Sequence, residues 1–185
     1  MTMEDALKQS EDGAKMLKTG EKIENLLWKL FTIGLIIAFI VSRFVHPVFA
    51  SGLSMQPTIE DGSMFICNRM VKDYKTDDIV FIKVPNGTIF PGHLIKRIVG
   101  VPGDTIDIRD GQLYVNGIPE NRGFEAMEDP GTLSYPLTLG EGEFFCLGDN
   151  RNHSADSREY GIFSQKQLQG RLSKNCIRTG LNFGY

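Results

Sequence analysis

Ser54, in the run Ser51-Gly-Leu-Ser-Met-Gln-Pro-Thr58, and Lys96, in the apolar stretch His93-Leu-Ile-Lys-Arg-Ile-Val-Gly100, are the residues whose types could do chemistry together. A serine hydroxyl is a weak nucleophile until a neighbouring base takes its proton, and a lysine is that base only where burial keeps it neutral. Read as a strand, the second stretch sets Leu94, Lys96 and Ile98 on one face and Ile95, Arg97 and Val99 on the other. Apolar neighbours on both faces are the environment that lowers a lysine from its ordinary ~10.4, to about 5 or 6 where burial is complete. An edge strand would instead let the amine snorkel to water, so this stretch alone leaves both readings open.

His46, His93 and His153 offer another base. His153 shares a short turn with Ser154 and Asp156, too close in sequence for an ordinary triad, which leaves Ser54 with His93 as the rival pair. Cys67, Cys146 and Cys176 are widely separated, odd in number and outside any CxxC pair, so they read neither as a closed disulfide framework nor as a metal site. Cys67 and Cys146 fall in apolar runs and read as small hydrophobes, with one disulfide among the three left open for an oxidising compartment.

The elements that position such a pair must fit in 185 residues, enough for one domain and an appendage. The net charge of -3, without a basic stripe interleaved with aromatics, excludes a nucleic-acid footprint. Residues 26–45, LLWKLFTIGLIIAFIVSRFV, approach the ~20 that a helix needs to cross a bilayer. Lys29 and Arg43 can snorkel to its ends, and Trp28 suits an interface. A cleavable signal peptide with Val48-Phe-Ala50 at its cut site is the rival, but it would leave Ser54 close to a frayed terminus. Lys15, Lys18, Lys22 and Lys29 precede or open the span and only Arg43 closely follows it, which predicts a cytoplasmic N-terminus and an extracytoplasmic remainder. The chain then divides into a cytoplasmic segment, 1–25, with at most an amphipathic turn or two, a transmembrane helix, 26–45, and a catalytic domain, 46–185.

Beyond the span, short Ile, Val and Phe runs bounded by glycine, proline and aspartate predict a mainly β domain. Strands are expected over 64–69, 78–84, 94–100, 105–109, 112–115, 143–147 and 171–178. Asp110-Gly111 predicts a type I′ hairpin, and Asn116-Gly117 another turn. Residues 118–142, with three prolines and several glycines, read as a surface excursion, and 164–169 as a helical turn.

Four segments, in order, resemble the bacterial type I signal peptidases, membrane-anchored serine/lysine proteases that remove signal peptides from exported proteins. SGLSMQPT (51–58) is similar to their nucleophile box, DIVFIKVP (78–85) to the following strand, KRIVGVPGD (96–104) to their base box and GDNRNHSADSREYG (148–161) to their closing box. The first 25 residues and roughly 105–142 stay unmatched. The resemblance implies a signal-peptidase-like antiparallel β catalytic domain behind a single transmembrane helix, and no metal or organic cofactor. It implies Ser54 as nucleophile, Lys96 as general base, Ser154 as the hydroxyl that hydrogen-bonds and orients the amine, and Met55 as a wall of the substrate pocket. Arg97, Asp156 and Arg158 would form an ionic cluster holding the closing segment, whereas Asp149 and Asn150 read only as turn formers.

Some family members carry, two residues before the nucleophile, a serine that helps hold the oxyanion; here that residue is Gly52. The oxyanion hole is then expected from backbone N–H groups, that of Ser54 and of Gly52. The implied partners are the signal peptides of exported preproteins and the lipid bilayer. Two other readings fit fewer residues: a self-cleaving repressor, which would need a DNA-binding domain where this chain has its apolar span, and a tethered module that binds exported peptides without cutting them. The joint presence of Ser54, Lys96 and Ser154 argues against the second.

Overall fold

The computed structural model describes residues 3–85 and 92–173, and the chain divides into two compact units, Met1–Arg43 and Phe44–Tyr185. The first is the helix α1, Met3–Phe44, unbroken by proline over its 42 residues and roughly 60 Å long. Its end is set by Pro47, which disfavours helical geometry in the residue before it. Within it, Lys15–Phe44 is long and apolar enough to cross a membrane, and its large apolar side chains from Leu26 to Phe44 are exposed, consistent with a membrane anchor. The helix thus continues through the residues read from sequence as an amphipathic turn or two.

The second unit is antiparallel β. Its strands are β1 (Val45–Phe49), β2 (Met64–Asn68), β3 (Ile79–Val84), β4 (Gly92–Gly100), β5 (Thr105–Arg109), β6 (Gln112–Val115), β7 (Ile118–Pro119), β8 (Leu137–Thr138), β9 (Glu143–Leu147), β10 (Phe163–Ser164) and β11 (Leu168–Leu172). One short helix, α2 (Ser157–Tyr160), lies between β9 and β10. The larger sheet has the order β1-β2-β11-β3-β4-β9-β10 and the smaller β7-β6-β5-β8. Strand β4 is central, paired with β3 on one side, Val80 opposite Lys96, and with β9 on the other. The β9 pairing begins at Arg97, so Lys96 is paired in the sheet on the β3 side, and it is buried by the segments packed over it.

Both faces of this sheet are covered. Val80, Ile82, Ile98, Cys146 and Phe163 form one core cluster, and Val48, Met55, Ile59, Phe65 and Leu172 another, under the segment that carries Ser54. The third joins the sheets: Val99, Phe145 and Leu147 meet Ile106, Leu113, Met127 and Leu139. Residues 118–142, read from sequence as a surface excursion, thus contribute buried side chains to a shared core. Asp110-Gly111 and Asn116-Gly117 have positive φ at both residues, as type I′ turns require.

Other boundaries differ from expectation. β1 begins at Val45, where the apolar run reads as helix, because extended backbone before Pro47 pairs with β2. The last described strand starts at Leu168, and the expected continuation to 178 lies outside the described residues beyond 173. The helical turn expected over 164–169 is instead the tight connection from β10 to β11, with Gln167 N–H donating to Ser164 O at 2.9 Å. The helical turn of this region is α2, capped by the Asp156 carboxylate, which accepts from Arg158 N–H.

Gly170 allows β11 to lie against β2. A Cβ there would fall 2.6 Å from Cys67 Sγ and 2.7 Å from Asn68 O. Gly170→Ala is therefore expected to cost about 1–3 kcal/mol through overpacking. Denaturant midpoints of the purified full chain, compared at equal slope, check this; an unchanged midpoint contradicts the close approach.

Candidate active site

The loop after β1 carries Ser54, held at both ends by backbone bonds. Ala50 N–H donates to Ser63 O (2.8 Å), Gly62 N–H to Ala50 O (2.9 Å) and Ile59 N–H to Met55 O (2.9 Å). The closing segment grips it from the side, since Asn150 N–H donates to Ser54 O and Asn150 Nδ2 to Leu53 O, each at 3.1 Å. The loop thereby meets β4, and Lys96 Nζ lies 2.7 Å from Ser54 Oγ in a hydrogen bond. Lys96 is only 2% exposed. Burial lowers its pKa from 10.5 to about 8, against the pull of Asp156, with Arg158 lowering it further. No hydrogen bond joins Ser54 to His93 among the described residues; the His93 ring stacks on Phe81 with centroids 4.6 Å apart.

Asp156 is fully buried, and its carboxylate is filled by donors. Arg158 grips it through Nε (2.9 Å) and Nη2 (3.0 Å), while Gly148 N–H (3.0 Å) and the Ser154 hydroxyl (2.8 Å) donate to the same Oδ2. The Ser154 hydroxyl donates to Asp156, and no hydrogen bond joins it to the Lys96 amine among the described residues. Gly148 brings this group against the nucleophile, since a Cβ there would overlap Ser154 Oγ and lie 2.5 Å from Ser54 O.

The expected single ionic cluster of Arg97, Asp156 and Arg158 is two separate pairs. Arg97 forks onto Asp149 (Nε–Oδ1 2.8 Å, Nη2–Oδ2 2.7 Å), and Asp149 is buried. The reason is strand geometry: Arg97 points to the opposite face from Lys96, away from Asp156. Asp149 and Asn150 were legible only as turn formers because their partners lie about 50 and 100 residues away in sequence. A third pair also escaped the sequence: buried Arg151 binds Glu120 at 2.5 Å, and Glu120 also binds Arg122 at 2.8 Å. No local pattern marks Glu120, which lies in the stretch read as an excursion.

Gly52 has φ +94, but its N–H donates to Asp61 Oδ1 at 2.8 Å. That N–H is occupied, which corrects its expected place in the oxyanion hole. Met55 is buried in the core below the loop and lines a cavity of about 130 Å³ with Ala50, Ser54, Ile59, Ile95 and Lys96. Cys67 and Cys146 are free and buried, and burial raises both thiol pKa values, so they act as core hydrophobes; Cys176 lies outside the described residues.

A hydroxyl hydrogen-bonded to a buried amine of lowered pKa, beside a small cavity, can carry out acyl transfer without another base. This is the layout of a hydrolase site on an antiparallel β domain. The chain matches the family described as signal peptidase, peptidase S26, over residues 23–175, and it belongs to that family. It is 34% identical over 168 residues to a signal peptidase I of Bacillus amyloliquefaciens, covering 83% of this chain and 88% of the relative. It is 32% identical over 172 residues to signal peptidase I S of Bacillus subtilis, covering 84% and 91%. A crystal structure of a signal peptidase I from Enterococcus faecalis is 31% identical, with a TM-score of 0.45, covering 56% of this chain and 99% of that one. The protein is a hydrolase of the signal peptidase I kind, and its N-terminal apolar helix goes with a membrane-anchored protein.

The buried amine links stability to pH. Above about 8 the folded state holds Lys96 neutral, while the unfolded chain keeps the proton until about 10.5. The unfolded state then binds more protons, so stability rises across this window, by up to about 3 kcal/mol. Denaturant titrations at pH 7.5 and 10 are expected to show that rise in the parent protein and its loss in Lys96→Met. Equal pH dependence in the two proteins contradicts a buried amine.

Proposed function

We propose that the chain cleaves signal peptides from exported preproteins through an acyl-enzyme formed on Ser54, with Lys96 as the base. The carrying observation is the 2.7 Å hydrogen bond between the buried Lys96 amine and the Ser54 hydroxyl. Neutral Lys96 takes the hydroxyl proton as Ser54 Oγ attacks the scissile carbonyl, then returns it to the leaving amine. Water, deprotonated by the same amine, attacks the acyl-enzyme ester and frees the serine. The Ser54 N–H supplies a backbone donor to the oxyanion, with Gly52 N–H engaged by Asp61. Ser154, Asp156 and Arg158 are positioning residues that fix the closing segment against the serine, and Arg97 does so through Asp149.

The substrate is an extended peptide that adds to a strand edge, with small side chains at the first and third positions before the cut. The cavity beside Ser54, about 130 Å³ and walled by Ala50, Met55, Ile59 and Ile95, is where those side chains would enter. In this reading residues 1–25 lie in the cytoplasm, 26–45 cross the membrane and 46–185 form the catalytic domain on the outer side. The lysines before the span support that orientation.

The detergent-solubilised full chain is expected to cut a synthetic signal-peptide substrate after its small residue. Ser54→Ala and Lys96→Met are each expected to lower kcat by at least about 10³-fold, as removal of a nucleophile or its base does in other serine hydrolases. Near-normal turnover in either variant ends the proposal. The acid limb of kcat/KM reports the free enzyme's base, so the rate should rise about tenfold per pH unit and level off near the amine's value of about 8. A profile flat from pH 6 to 9 would remove Lys96 from that role.

A further inference from the structure

The small cavity beside Ser54 does not end the cleft. Phe49, Phe81 and His93 line both it and a second cavity of about 660 Å³, and the stacked rings of Phe81 and His93 form the wall the two share. The second cavity is cationic. Arg69, Lys83, His46 and His93 line it, and none of its ten lining residues is an aspartate or glutamate. Arg69 is held in place, its Nη1 3.3 Å from His46 Nε2 and its Nη2 donating to Gln169 Oε1 at 3.3 Å. Neither contact neutralises its charge. Lys83 stands directly opposite His93 across the β3–β4 pair.

The position of this cavity fixes what reaches it, given the reading of Ser54 and Lys96 on which this inference rests. Ser54 attacks the carbonyl of the first residue before the cut, so the small cavity takes side chains upstream of the scissile bond. Its Phe49, Phe81 and His93 end is its far end: His93 lies three strand residues, or about 10 Å, from Lys96. An extended substrate returns a side chain to the same face every second residue, at about 3.4 Å per residue. Its first and third residues then fill the small cavity, and the fifth, about 14 Å upstream of the first, reaches past the Phe81–His93 wall.

We propose that the second cavity is a specificity subsite for the fifth residue before the cut, and that it selects an acidic or hydrogen-bond-accepting side chain there and disfavours a basic one. Arg69 and Lys83 supply the charge, and His46 and His93 supply polar walls.

The test uses the solubilised full chain and peptides alike except at that position, which is Asp in one and Lys in the other, with Ala at the first and third positions. At about 20 mM salt the Asp peptide is expected to exceed the Lys peptide in kcat/KM by about three- to tenfold, mostly through KM. The ratio should shrink at 0.5 M salt, since exposed pairs are screened. The double variant Arg69→Glu with Lys83→Glu is expected to invert it, and a ratio near one in the parent protein, or one unmoved by the double variant, overturns the subsite. Binding to phosphatidylglycerol vesicles that is lost in the double variant, without a change in the peptide ratio, would make the patch a lipid contact and also overturn it. Cleavage of neither peptide would overturn the proposed function and this inference together, whereas cleavage of both at equal rates overturns this inference alone.

Discussion

Burying one amine beside one hydroxyl is the constraint on which the rest of the structure depends. An isolated ammonium in an apolar interior is costly enough that the group loses its proton more readily, and Lys96 does so from about 8 rather than 10.5. The cost is imposed by packing: Lys96 is paired to Val80 on one side, and the Ser54 loop and the closing segment cover what the sheet leaves open, so that it is 2% exposed. Hydrophobic packing on both faces then serves the chemistry directly, because any opening that hydrated the amine would restore its charge. The Ser54 loop completes the enclosure, with Met55 anchored in the core below and Asn150 bonded to its carbonyls from the side.

Two buried carboxylates close by would ordinarily defeat such a design, since each favours a charged lysine. Both are already engaged. Asp149 is forked by Arg97, and Asp156 is filled by Arg158, the Ser154 hydroxyl and the Gly148 N–H. A saturated, paired carboxylate exerts little net field on a third group, so desolvation dominates at Lys96. The closing segment is in turn tied to the smaller sheet through Arg151 and Glu120. Residues that match none of the four motifs thus help hold the segment that holds the serine.

What was legible in the sequence follows from how local each signal is. The strands around Lys96 could be read because alternation and apolar runs are written within a few residues, and the Asp110-Gly111 turn because positive φ at both positions narrows the residue choice. The Ser54 and Lys96 segments were legible as family motifs. Local pattern did not say who pairs with whom. Arg97 was grouped with Asp156 through proximity of motifs, yet pleating turns it to Asp149. Gly52 was read by its freedom to approach a substrate, while Asp61, nine residues on, takes its N–H. Glu120 was invisible because its partner is brought to it by the fold alone. β1 was hidden by continuity of composition, since only His46 and Pro47 in Val45 to Phe49 separate it from the apolar helix.

The choice of cations explains how one site keeps a neutral base among permanent charges. Arg97, Arg151 and Arg158 surround the segment that also encloses Lys96, and all are at least largely buried. A guanidinium keeps its proton under conditions where a buried ammonium loses it, because its charge is delocalised and its intrinsic proton affinity is far higher. Burial therefore sorts the two cation types without a separate mechanism: the arginines stay charged and neutralise carboxylates, and the lysine alone becomes a base. Arg158 also pushes the lysine further in that direction by like-charge repulsion. Lysine in place of Arg158 would put two groups of similar proton affinity beside one carboxylate, and the proton could then reside on either. With arginine there, the proton that Lys96 exchanges with the serine has no second amine to occupy.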